Sequence, residues 1–573
     1  MGSLRFLRKV SRFSSKSDQY HDPYALEALN SVSGPKTRAF ISEIRESWHR
    51  PSGDNATLEN NLMNYDIPSP KRCYDGDYLA ILKKTLDELR PVNRIIPLTL
   101  GAAATHHDMP RTTSAGFPWK DQGYRNKGEI FDDPIAMGKI RRAWDSIGRG
   151  IPWSLPDSLA FHRTIASTKD KSKIRPIWGY PTDVIVEEAR FFMPLMSALK
   201  VHCNETDSYY GLGMETALSG HSHLARNFAT LVVEQCLCAD LSAFDSRVPD
   251  WIIRDVFSFM SDWFDFSKVI DSDGKVWDVN PDQTCRRWKA MVSYFVNTKI
   301  RTPTGLRVQK NHGVPSGSMF TNLIDTIVNA VQMRTALRRV TGELPTKDYY
   351  YGDDSCIFLS DGVDIEQLAA VLLSVFGAVL SVEKTVLTDN PENIHWLGYY
   401  HRVTGPRRSL DFIVASTLFP EREVLSPMES CARLLGQLYS SMDPVCSVVF
   451  YDAVKYLQSK YSITNVLLES FVSSLSSKAM KYLITLGLTV TDIVVPGCFV
   501  DPFGDRYIPD VLPRPSSRKF TSSRDHNLPE FAFVPEAYSN RYLRTRVFTD
   551  FHHYIKTFTF YDEFDLDSAY FTE

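Results

Sequence analysis

Residues 349–359, just past the middle of the chain, have the sequence YYYGDDSCIFL. Aromatic residues precede Gly352-Asp353-Asp354 and apolar residues follow it, so the segment predicts a β-hairpin with its tight turn at Gly352-Asp353. Hairpin turns of this composition are common, and the triplet alone leaves open whether it is only a turn. Other segments of the chain bear on what its two carboxylates do.

A third carboxylate follows a different predicted strand. Residues 231–239 (LVVEQCLCA) predict a buried strand, and Asp240 comes directly after it. An Asp in that position is often only a helix N-cap. Carboxylates at the ends of two neighbouring strands can also converge on divalent cations, because Mg²⁺ prefers oxygen ligands. A pair of such ions about 3.5–4 Å apart supports in-line phosphoryl transfer. Asp240, Asp353 and Asp354 are therefore predicted metal ligands and catalytic residues.

The next informative segment is a loop followed by a helix, residues 313–329 (GVPSGSMFTNLIDTIVN). The apolar stripe of the predicted helix contains Phe320, Leu323, Ile324, Ile327 and Val328. A second face is polar and contains Ser318, Thr321, Asp325 and Asn329. This polar face is either solvated or suited to binding sugar and backbone groups. Gly317 is predicted to let a chain or a nucleotide approach the loop closely.

In this order the three elements resemble motifs A, B and C of viral RNA-dependent RNA polymerases. The remaining motifs of that family resemble TSAGFP (113–118, motif G), KSKIRP (171–176, motif F), SVEK (381–384, motif D) and WLGY (396–399, motif E). All seven follow the family order between residue 111 and about residue 402. The stretches AFDSRVPDW, GVPSGSMFT and KIRPIWGYP are most similar to polymerases of partitiviruses, which have small segmented double-stranded RNA genomes. A picobirnavirus-like polymerase is the second candidate.

The resemblance implies an α+β right-hand polymerase fold with fingers, palm and thumb. Its palm would be an antiparallel sheet, and N-terminal and C-terminal extensions would close the hand. The implied segments are an N-terminal extension strapping fingers to thumb (1–90), fingers with motifs G and F (91–230), palm with motif A (231–262), a fingers insertion (263–310), palm with motifs B to E (311–413), thumb (414–512) and an aromatic C-terminal tail (513–573).

The resemblance also implies roles for individual residues in an RNA-directed RNA polymerase that copies and transcribes a viral double-stranded RNA genome. Asp240, Asp353 and Asp354 would hold two Mg²⁺ ions, for which Mn²⁺ could substitute, and Lys384 would be the general acid for the leaving pyrophosphate. The implied nucleotide-binding residues are Lys171, Lys173, Arg175, Asp245, Ser316, Gly317, Thr321, Asp325 and Asn329. The implied template and primer contacts are Thr113, Ser114, Gly116, Trp396 and Gly398.

Several of these assignments have alternatives. Asp325 stands where the widespread form of motif B has Asn, so its role in binding the sugar is open. Lys173 and Arg175 could belong to a solvated basic loop, and Lys384 could be a surface lysine beside Glu383. A reverse transcriptase, or an inactive capsid-associated protein that binds RNA, are alternative functions. Gly352 and a polar Asp245 argue against the first, and the intact set of acidic and basic residues argues against the second.

The composition excludes other classes of protein. Lys and Arg number 65 against 68 Asp and Glu, so positive charge for RNA would have to be concentrated in a channel. Nine Cys occur without CxxC pairs or Cys/His clusters, which predicts reduced thiols and no zinc. No apolar run approaches the roughly 18 residues of a membrane span. The resemblance implies RNA template and product, ribonucleoside triphosphates and viral capsid protein as partners, in the virion interior and the host cytoplasm.

The C-terminal tail is unusually aromatic. Residues 531–573 contain thirteen Phe or Tyr. They could pack on the thumb, fill the product channel and regulate initiation, or dock to a capsid shell. The sequence leaves these three possibilities open.

Overall fold

The computed structural model describes residues 4–15, 18–401, 406–442, 444–475, 480–500 and 507–509. The aromatic tail predicted at 513–573 lies outside these residues. Helices and short strands alternate along the described chain, in agreement with the predicted α+β class. No helix in the described ranges combines the length and the apolar character of a membrane span.

The first ninety residues contact two distant parts of the molecule. Their elements are β1 (Leu4–Lys9), α1 (Pro23–Val32), α2 (Pro35–Ser47), β2 (Trp48–His49), α3 (Asn55–Leu62) and α4 (Gly76–Leu89). Strand β1 pairs antiparallel with Leu306–Lys310, whereas α1 packs on helices of the C-terminal third. Asp22 caps α1 by accepting from the Ala25 N–H, and it also accepts from the Ser430 hydroxyl at 2.6 Å. The segment thus contacts both the strand Leu306–Lys310 and the C-terminal helices, which the resemblance assigns to fingers and thumb.

The fingers contain a long buried helix and most of a five-stranded sheet. Their elements up to residue 230 are α5 (Leu100–Thr105), α6 (Lys127–Phe131), α7 (Pro134–Gly148), β3 (Ser158–Thr164), β4 (Ser167–Thr168), β5 (Ile174–Gly179), α8 (Thr182–Glu205) and α9 (Gly220–Thr230). Fourteen of the 24 residues of α8 are buried, including Asp183, Glu187 and Glu188. A helix buried on most sides needs partners for such groups, and those partners position several loops described below.

The chain then enters the palm, returns to the fingers and comes back. The first palm elements are β6 (Gln235–Cys238), β7 (Leu241–Ser242), α10 (Phe244–Arg247) and α11 (Asp250–Ser261). The excursion to the fingers contains β8 (Lys268–Ile270), β9 (Val276–Asp278), α12 (Pro281–Val296), β10 (Lys299–Arg301) and β11 (Leu306–Lys310). The fingers sheet has the order β1-β11-β10-β3-β5, with only the β10–β3 pair parallel.

The second palm segment completes the sheet that carries the acidic residues. Its elements are α13 (Thr321–Thr341), β12 (Lys347–Tyr351), β13 (Asp354–Leu359), α14 (Ile365–Phe376), β14 (Val379–Leu380), β15 (Val386–Thr388), β16 (His395–Trp396) and β17 (Tyr399–Tyr400). The palm sheet has the order β12-β13-β6-β15, and every pair in it is antiparallel. Helices α13, α14, α11 and α4 cover one face of it and share one apolar core.

The described residues after 409, most of which the resemblance assigns to the thumb, are mainly helical. Its elements are α15 (Leu410–Leu418), α16 (Pro427–Ser441), α17 (Pro444–Lys460), α18 (Asn465–Ser474), α19 (Lys481–Thr485), β18 (Cys498–Val500) and β19 (Tyr507–Pro509). Apolar residues of α15 to α18 form a second core together with Ala25, Leu29, Ile41 and Ile44 of the N-terminal helices. Burial of these side chains holds the N-terminal segment on the thumb.

Two local expectations differ in extent from the structure. The strand predicted over 231–239 is shorter, Gln235–Cys238: Leu231 caps α9 by donating to the Asn227 carbonyl, and the chain bends over 232–234 before the strand begins. Pro249, a residue type that suits the first helical position, instead precedes α11 as its N-cap in an extended conformation. Both differences concern element boundaries, which local sequence patterns define poorly.

Candidate active site

The Gly352-Asp353 turn closes the β12–β13 hairpin as predicted. Tyr351 pairs with Asp354 at the last position of the ladder. Gly352 has φ +64°, a conformation that glycine adopts without strain. Its N–H donates to the Thr326 hydroxyl of α13 at 2.8 Å. The turn is therefore fixed both by its own conformation and by the helix behind it.

Asp240 lies beside this turn, at the end of the adjacent strand. Strand β6 pairs with β13 in a register that sets Leu237 opposite Ile357. The Asp240 carbonyl accepts from the Ser381 N–H at 2.8 Å, and its own N–H donates to the Thr385 hydroxyl at 3.3 Å. Backbone contacts on both sides therefore hold Asp240 at the sheet edge next to Asp353 and Asp354.

Electrostatic repulsion among the carboxyls marks this edge as a site for cations. Burial, followed by the charges of Asp353, Cys238 and Asp240, raises the pKa of Asp354 to about 8. The pKa of Asp353 is also raised. The main cause is desolvation by the surrounding protein, although the residue is exposed at the surface, and the charge of Asp240 adds to it. Carboxylate oxygens that repel one another at a solvent-accessible edge fit hard divalent cations. Asp240, Asp353 and Asp354 are the residues that would hold them.

Basic residues gather opposite the acidic edge. Lys173 precedes β5, and Arg175 lies on it. Burial lowers the pKa of Lys173, and the neighbouring charges of Lys384, Lys171 and Arg175 lower it further, whereas Asp240 opposes them. The positive charge of Arg175 partly offsets the rise in the pKa of Asp353. The structure thus brings the predicted motif F cations and Lys384 together around the carboxylates, as a site for a polyanionic ligand requires.

The loop before α13 packs against β5 through backbone contacts. The Trp178 N–H donates to the Ser316 hydroxyl at 3.1 Å. A Cβ atom on Gly317 would lie 2.2 Å from the Trp178 carbonyl oxygen. Gly317 was predicted to allow close approach of either a protein chain or a nucleotide. The structure shows the first of these, with the backbone of β5 against Gly317. The Thr321 hydroxyl donates to the carbonyls of Pro315 (2.7 Å) and Ser318 (2.9 Å), so it closes its own loop.

The predicted polar face of α13 contacts the Gly352-Asp353 turn. Asn329 is fully buried, and its side-chain amide donates to backbone carbonyls of the turn. This placement does not support a direct nucleotide contact for Asn329, because the side chain is enclosed behind the turn. Asn322 lies next to Gly352 and accepts from the Tyr210 hydroxyl at 2.9 Å. Sequence analysis missed Asn322 and Thr326, although both lie on the same helix face as Asn329.

Asp245 and Asp325 form an acidic pair close to the group of Asp240, Asp353 and Asp354. Burial, followed by Asp353, raises the pKa of Asp245 to about 7. The pKa of Asp325 is raised well above its usual range by burial and then by Asp245 and Asp353. Among the described residues the Oδ1 atom of Asp325 has no hydrogen-bond partner. Tyr65 of the N-terminal segment packs beside this pair, and its hydroxyl donates to the Val314 carbonyl at 3.2 Å. No sequence motif indicated Tyr65.

The predicted template loop is fixed to the start of α8. The Thr182 hydroxyl donates to the Ala115 carbonyl at 2.6 Å. Gly116 has φ +74°, and a Cβ there would lie 2.8 Å from the Tyr180 carbonyl oxygen. Lys127 is buried beneath the loop and donates to the Thr113 hydroxyl (2.7 Å) and the Ser114 carbonyl (2.9 Å). Burial lowers the pKa of Lys127 to about 8.

The two predicted primer contacts differ in placement. Trp396 is fully buried in the core beneath the palm sheet, and its indole N–H donates to the Met214 carbonyl at 3.0 Å. A primer contact through its side chain is not supported, because both its ring and its N–H are already enclosed. Gly398 has φ +80° in the turn between β16 and β17, and among the described residues the atom nearest to a Cβ position there is a guanidinium nitrogen of Arg408, at 3.8 Å. Its role at the primer stays a prediction.

Three cysteines meet beneath the acidic edge, a grouping that their sequence spacing did not indicate. The Sγ atoms of Cys236, Cys238 and Cys356 lie within 4.8 Å of one another. Across the described residues, no fourth Cys, His or carboxylate ligand atom lies within that distance of all three. A structural zinc site is closed by four ligands, and this group is one short. The thiols pack with Tyr349 and Phe358 in a small apolar core.

Comparisons with known proteins agree with this geometry. Residues 29–410 match the family model of viral RNA-dependent RNA polymerases. Curated relatives include the RNA-directed RNA polymerases of Atkinsonella hypoxylon virus (26% identical over 318 residues, 49% of this chain and 47% of the relative) and Cryptosporidium parvum virus 1 (24% over 365 residues, 58% and 63%). That of White clover cryptic virus 1 is 22% identical over 303 residues, 50% of this chain and 49% of the relative.

The match therefore spans about half the length of two of these relatives and somewhat more of the other. Among solved structures, the crystal structure of the RNA-dependent RNA polymerase of a human picobirnavirus is similar, with a TM-score of 0.59 and 14% identity. The likeness covers 82% of this chain and 90% of that one. It confirms the predicted right-hand polymerase fold.

Proposed function

The chain belongs to the viral RNA-dependent RNA polymerase family, and we propose on that basis that it is an RNA-directed RNA polymerase. It copies and transcribes a viral double-stranded RNA genome by nucleotidyl transfer. The observation that carries the proposal is the meeting of Asp240 with the Asp353-Asp354 turn at one sheet edge, opposite Lys173 and Arg175. Phosphoryl transfer uses such an arrangement, because carboxylates can hold the metal ions while basic side chains neutralise the phosphates.

Asp240, Asp353 and Asp354 are the proposed ligands of two Mg²⁺ ions, and Mn²⁺ also suits their oxygen donors. When bound, the ions would supply charge stabilisation at the primer 3′-oxygen and at the β- and γ-phosphates. The pKa of Asp354, about 8 without a cation, means that this carboxyl holds a proton near neutral pH until a positive charge displaces it. Metal loading is therefore expected to release protons.

The basic residues have two proposed tasks. Lys171, Lys173 and Arg175 neutralise the triphosphate as negative charge moves onto the leaving pyrophosphate. The Lys384 ammonium donates a proton to that pyrophosphate, a contribution of roughly 10²- to 10⁴-fold. Support comes from the electrostatic coupling of Lys173 to both Lys384 and Asp240.

Asp245 is the proposed selector of ribose. Its carboxylate accepts a hydrogen bond from the 2′-hydroxyl, the group that distinguishes RNA from DNA precursors. Ser316, Gly317 and Thr321 shape the loop next to it, and Asp325 of α13 lies near enough for the charge of Asp245 to raise its pKa. Because Asp245 is only half-buried, a hydroxyl can reach it.

The proposed macromolecular ligand is RNA. Thr113, Ser114 and Gly116 guide the template, and Gly398 lies near the primer end. Such contacts to backbone and shape predict binding that weakens steeply with salt. We also propose that viral capsid protein is a partner and that the enzyme works in the virion interior and the host cytoplasm. Both proposals rest on the similarity to polymerases of viruses.

The test is incorporation of labelled ribonucleotides on single-stranded RNA with Mg²⁺, beside the Asp353→Ala variant. Incorporation by the parent alone supports the proposal, and equal incorporation by both proteins contradicts it. Efficient use of deoxynucleotides on the same template would instead favour a reverse transcriptase. RNA binding without incorporation under Mg²⁺ and Mn²⁺ would favour an inactive, capsid-associated protein.

A further inference from the structure

Glu188 is a fully buried carboxyl outside all seven sequence motifs. Within the described ranges no cationic side chain forms an ion pair with it. Its Oε1 atom accepts from the Ser318 hydroxyl and its Oε2 atom from the Met319 N–H, both at 2.8 Å. A buried acid is costly unless its polar atoms are bonded, and here both bonds go to one loop.

That loop, residues 313–320, connects the nucleotide site to α13. On one side Ser316 and Gly317 pack on the backbone of Trp178 in β5. On the other side Ser318 and Met319 are held by Glu188 of α8, and the Ser318 hydroxyl also accepts from the Phe320 N–H at 3.1 Å. The two residues that Glu188 holds therefore adjoin the two that lie against the strand carrying Arg175.

The contacts of Glu188 can be satisfied with or without a proton. Burial raises its pKa to about 8, and the titratable groups that face it are the hydroxyls of Tyr180 and Tyr294. A protonated carboxyl would donate to the Ser318 hydroxyl while its other oxygen accepts from the Met319 N–H. A glutamine offers the same pattern of one donor and one acceptor. A leucine of similar shape offers neither, and would leave the Met319 N–H without a partner.

We propose that Glu188 is a positioning residue that holds the 313–320 loop in the conformation that binds the nucleotide. It acts through Ser318 and Met319 and does not touch the substrate. The inference rests on the proposed function for its kinetic readout, but the order of the loop can be measured without catalysis. It identifies α8, which also fixes the template loop through Thr182, as the element that aligns the two loops.

The experiment compares the full-length parent with Glu188→Gln, Glu188→Leu and Asp22→Asn. Asp22 is the control for altering a buried carboxyl elsewhere in the chain, because it accepts from Ser430 and Ala25 and forms an ion pair with Arg433, away from the 313–320 loop. Hydrogen exchange of peptides covering 313–320 is measured first, followed by kcat and KM for the incoming nucleotide. In Glu188→Leu we expect exchange at Met319 and the nucleotide KM to rise about tenfold, with a smaller change in kcat. Glu188→Gln should remain within about twofold of the parent.

Asp22→Asn should lower the melting temperature without changing exchange at 313–320 or the nucleotide KM. Parent-like exchange in Glu188→Leu overturns the proposal, as does a rise in KM that Asp22→Asn shares. If Glu188→Leu does not fold, Ser318→Ala, which removes one of the two bonds, must show the same direction of change, and its failure to do so also overturns the proposal. An inactive parent would refute the proposed function, while the exchange data would still decide the role of Glu188.

Discussion

The side-chain amide of Asn329 donates hydrogen bonds to the carbonyl oxygens of Gly352 (3.2 Å) and Asp353 (3.0 Å). Asn329 is fully buried, so water does not compete for these bonds. One helical turn earlier, Thr326 accepts from the Gly352 N–H. Helix α13 therefore binds both N–H and carbonyl groups of the turn that carries Asp353 and Asp354. The position of these carboxylates thus depends on Asn329, which is not itself one of the acidic residues.

Replacing Asn329 by leucine should lower kcat while leaving the fold intact. Leucine has a similar volume but cannot donate to the carbonyls of the turn. The unsatisfied carbonyls destabilise the turn conformation by about 1–3 kcal/mol. We expect kcat to fall about tenfold to a hundredfold and the Mg²⁺ concentration for half-maximal activity to rise. Steady-state incorporation across a Mg²⁺ titration measures both.

Thr335→Val is the control for Asn329. Thr335 is also a buried polar residue of α13, but its hydroxyl donates only to the Val331 carbonyl of its own helix. It should have parent-like kcat and Mg²⁺ dependence. If Asn329→Leu behaves like Thr335→Val, the turn does not depend on this contact.

The local pattern of α13 was predictable, but its contacts were not. The three- and four-residue spacing indicated an apolar stripe and a polar face, because that periodicity is a property of one helix. Which atoms the polar face meets depends on a hairpin more than twenty residues further on. Asn329 was therefore assigned to the nucleotide, although its amide holds the Gly352 turn.

Other non-local contacts escaped prediction for the same reason. Trp396 was assigned to the primer from its motif, yet it fills the core beneath the palm sheet. Glu188 and Tyr65 reach the site from segments without a motif, through folding of the chain around α13. The acidic and basic residues were recognisable because metal and phosphate chemistry restricts their types and order. Packing against a loop imposes no comparable restriction.

Asp245→Ala should weaken selection of ribonucleotides over deoxynucleotides. The variant removes the carboxylate that we propose accepts from the 2′-hydroxyl, a bond to a charged group worth about 1.5–3 kcal/mol. The ratio of kcat/KM for the two nucleotides should therefore fall at least about tenfold. Single-nucleotide extension on one RNA template provides both values.

Asp250→Asn is a suitable comparison for Asp245→Ala. Asp250 lies five residues later in the same segment, where it forms a half-exposed ion pair with Arg254. Its removal should leave sugar selection unchanged. An unchanged ratio in Asp245→Ala as well would show that another group selects the sugar.

Asp325→Asn should stabilise the protein at alkaline pH and have little effect at acidic pH. The raised pKa values of Asp325 and Asp245 mean that the folded state keeps protons that the unfolded state releases above about pH 4. Stability contributed by these groups is therefore lost as pH rises, up to about 7 for Asp245. Removing the Asp325 carboxyl relieves the repulsion, with an expected gain of at least about 1 kcal/mol at pH 8.

Urea unfolding of Asp325→Asn and the parent, at pH 5 and pH 8 without divalent metal, measures this difference. The free energy of unfolding should diverge between the two proteins as pH increases. Equal stability at both pH values would mean that Asp325 and Asp245 do not repel each other in the folded state. Lower stability of the variant at pH 8 would be a stronger contradiction.

Gly317→Ala should raise the nucleotide KM, since the methyl group has no room beside β5. The new Cβ would lie 2.2 Å from the Trp178 carbonyl oxygen and 3.3 Å from the Trp178 Cβ, so the loop must move away from the strand. That movement breaks the bond between the Trp178 N–H and the Ser316 hydroxyl. We expect a rise of about tenfold or more in KM together with a lower melting temperature.

Gly138→Ala is the matched control for this substitution. Gly138 lies within α7, where a Cβ would meet no atom within 4 Å. Alanine there should stabilise the helix by up to about 1 kcal/mol and leave KM unchanged. A parent-like KM in Gly317→Ala would mean that the loop binds the nucleotide without resting on β5. Loss of activity in both variants would point to an effect of added bulk that is unrelated to this contact.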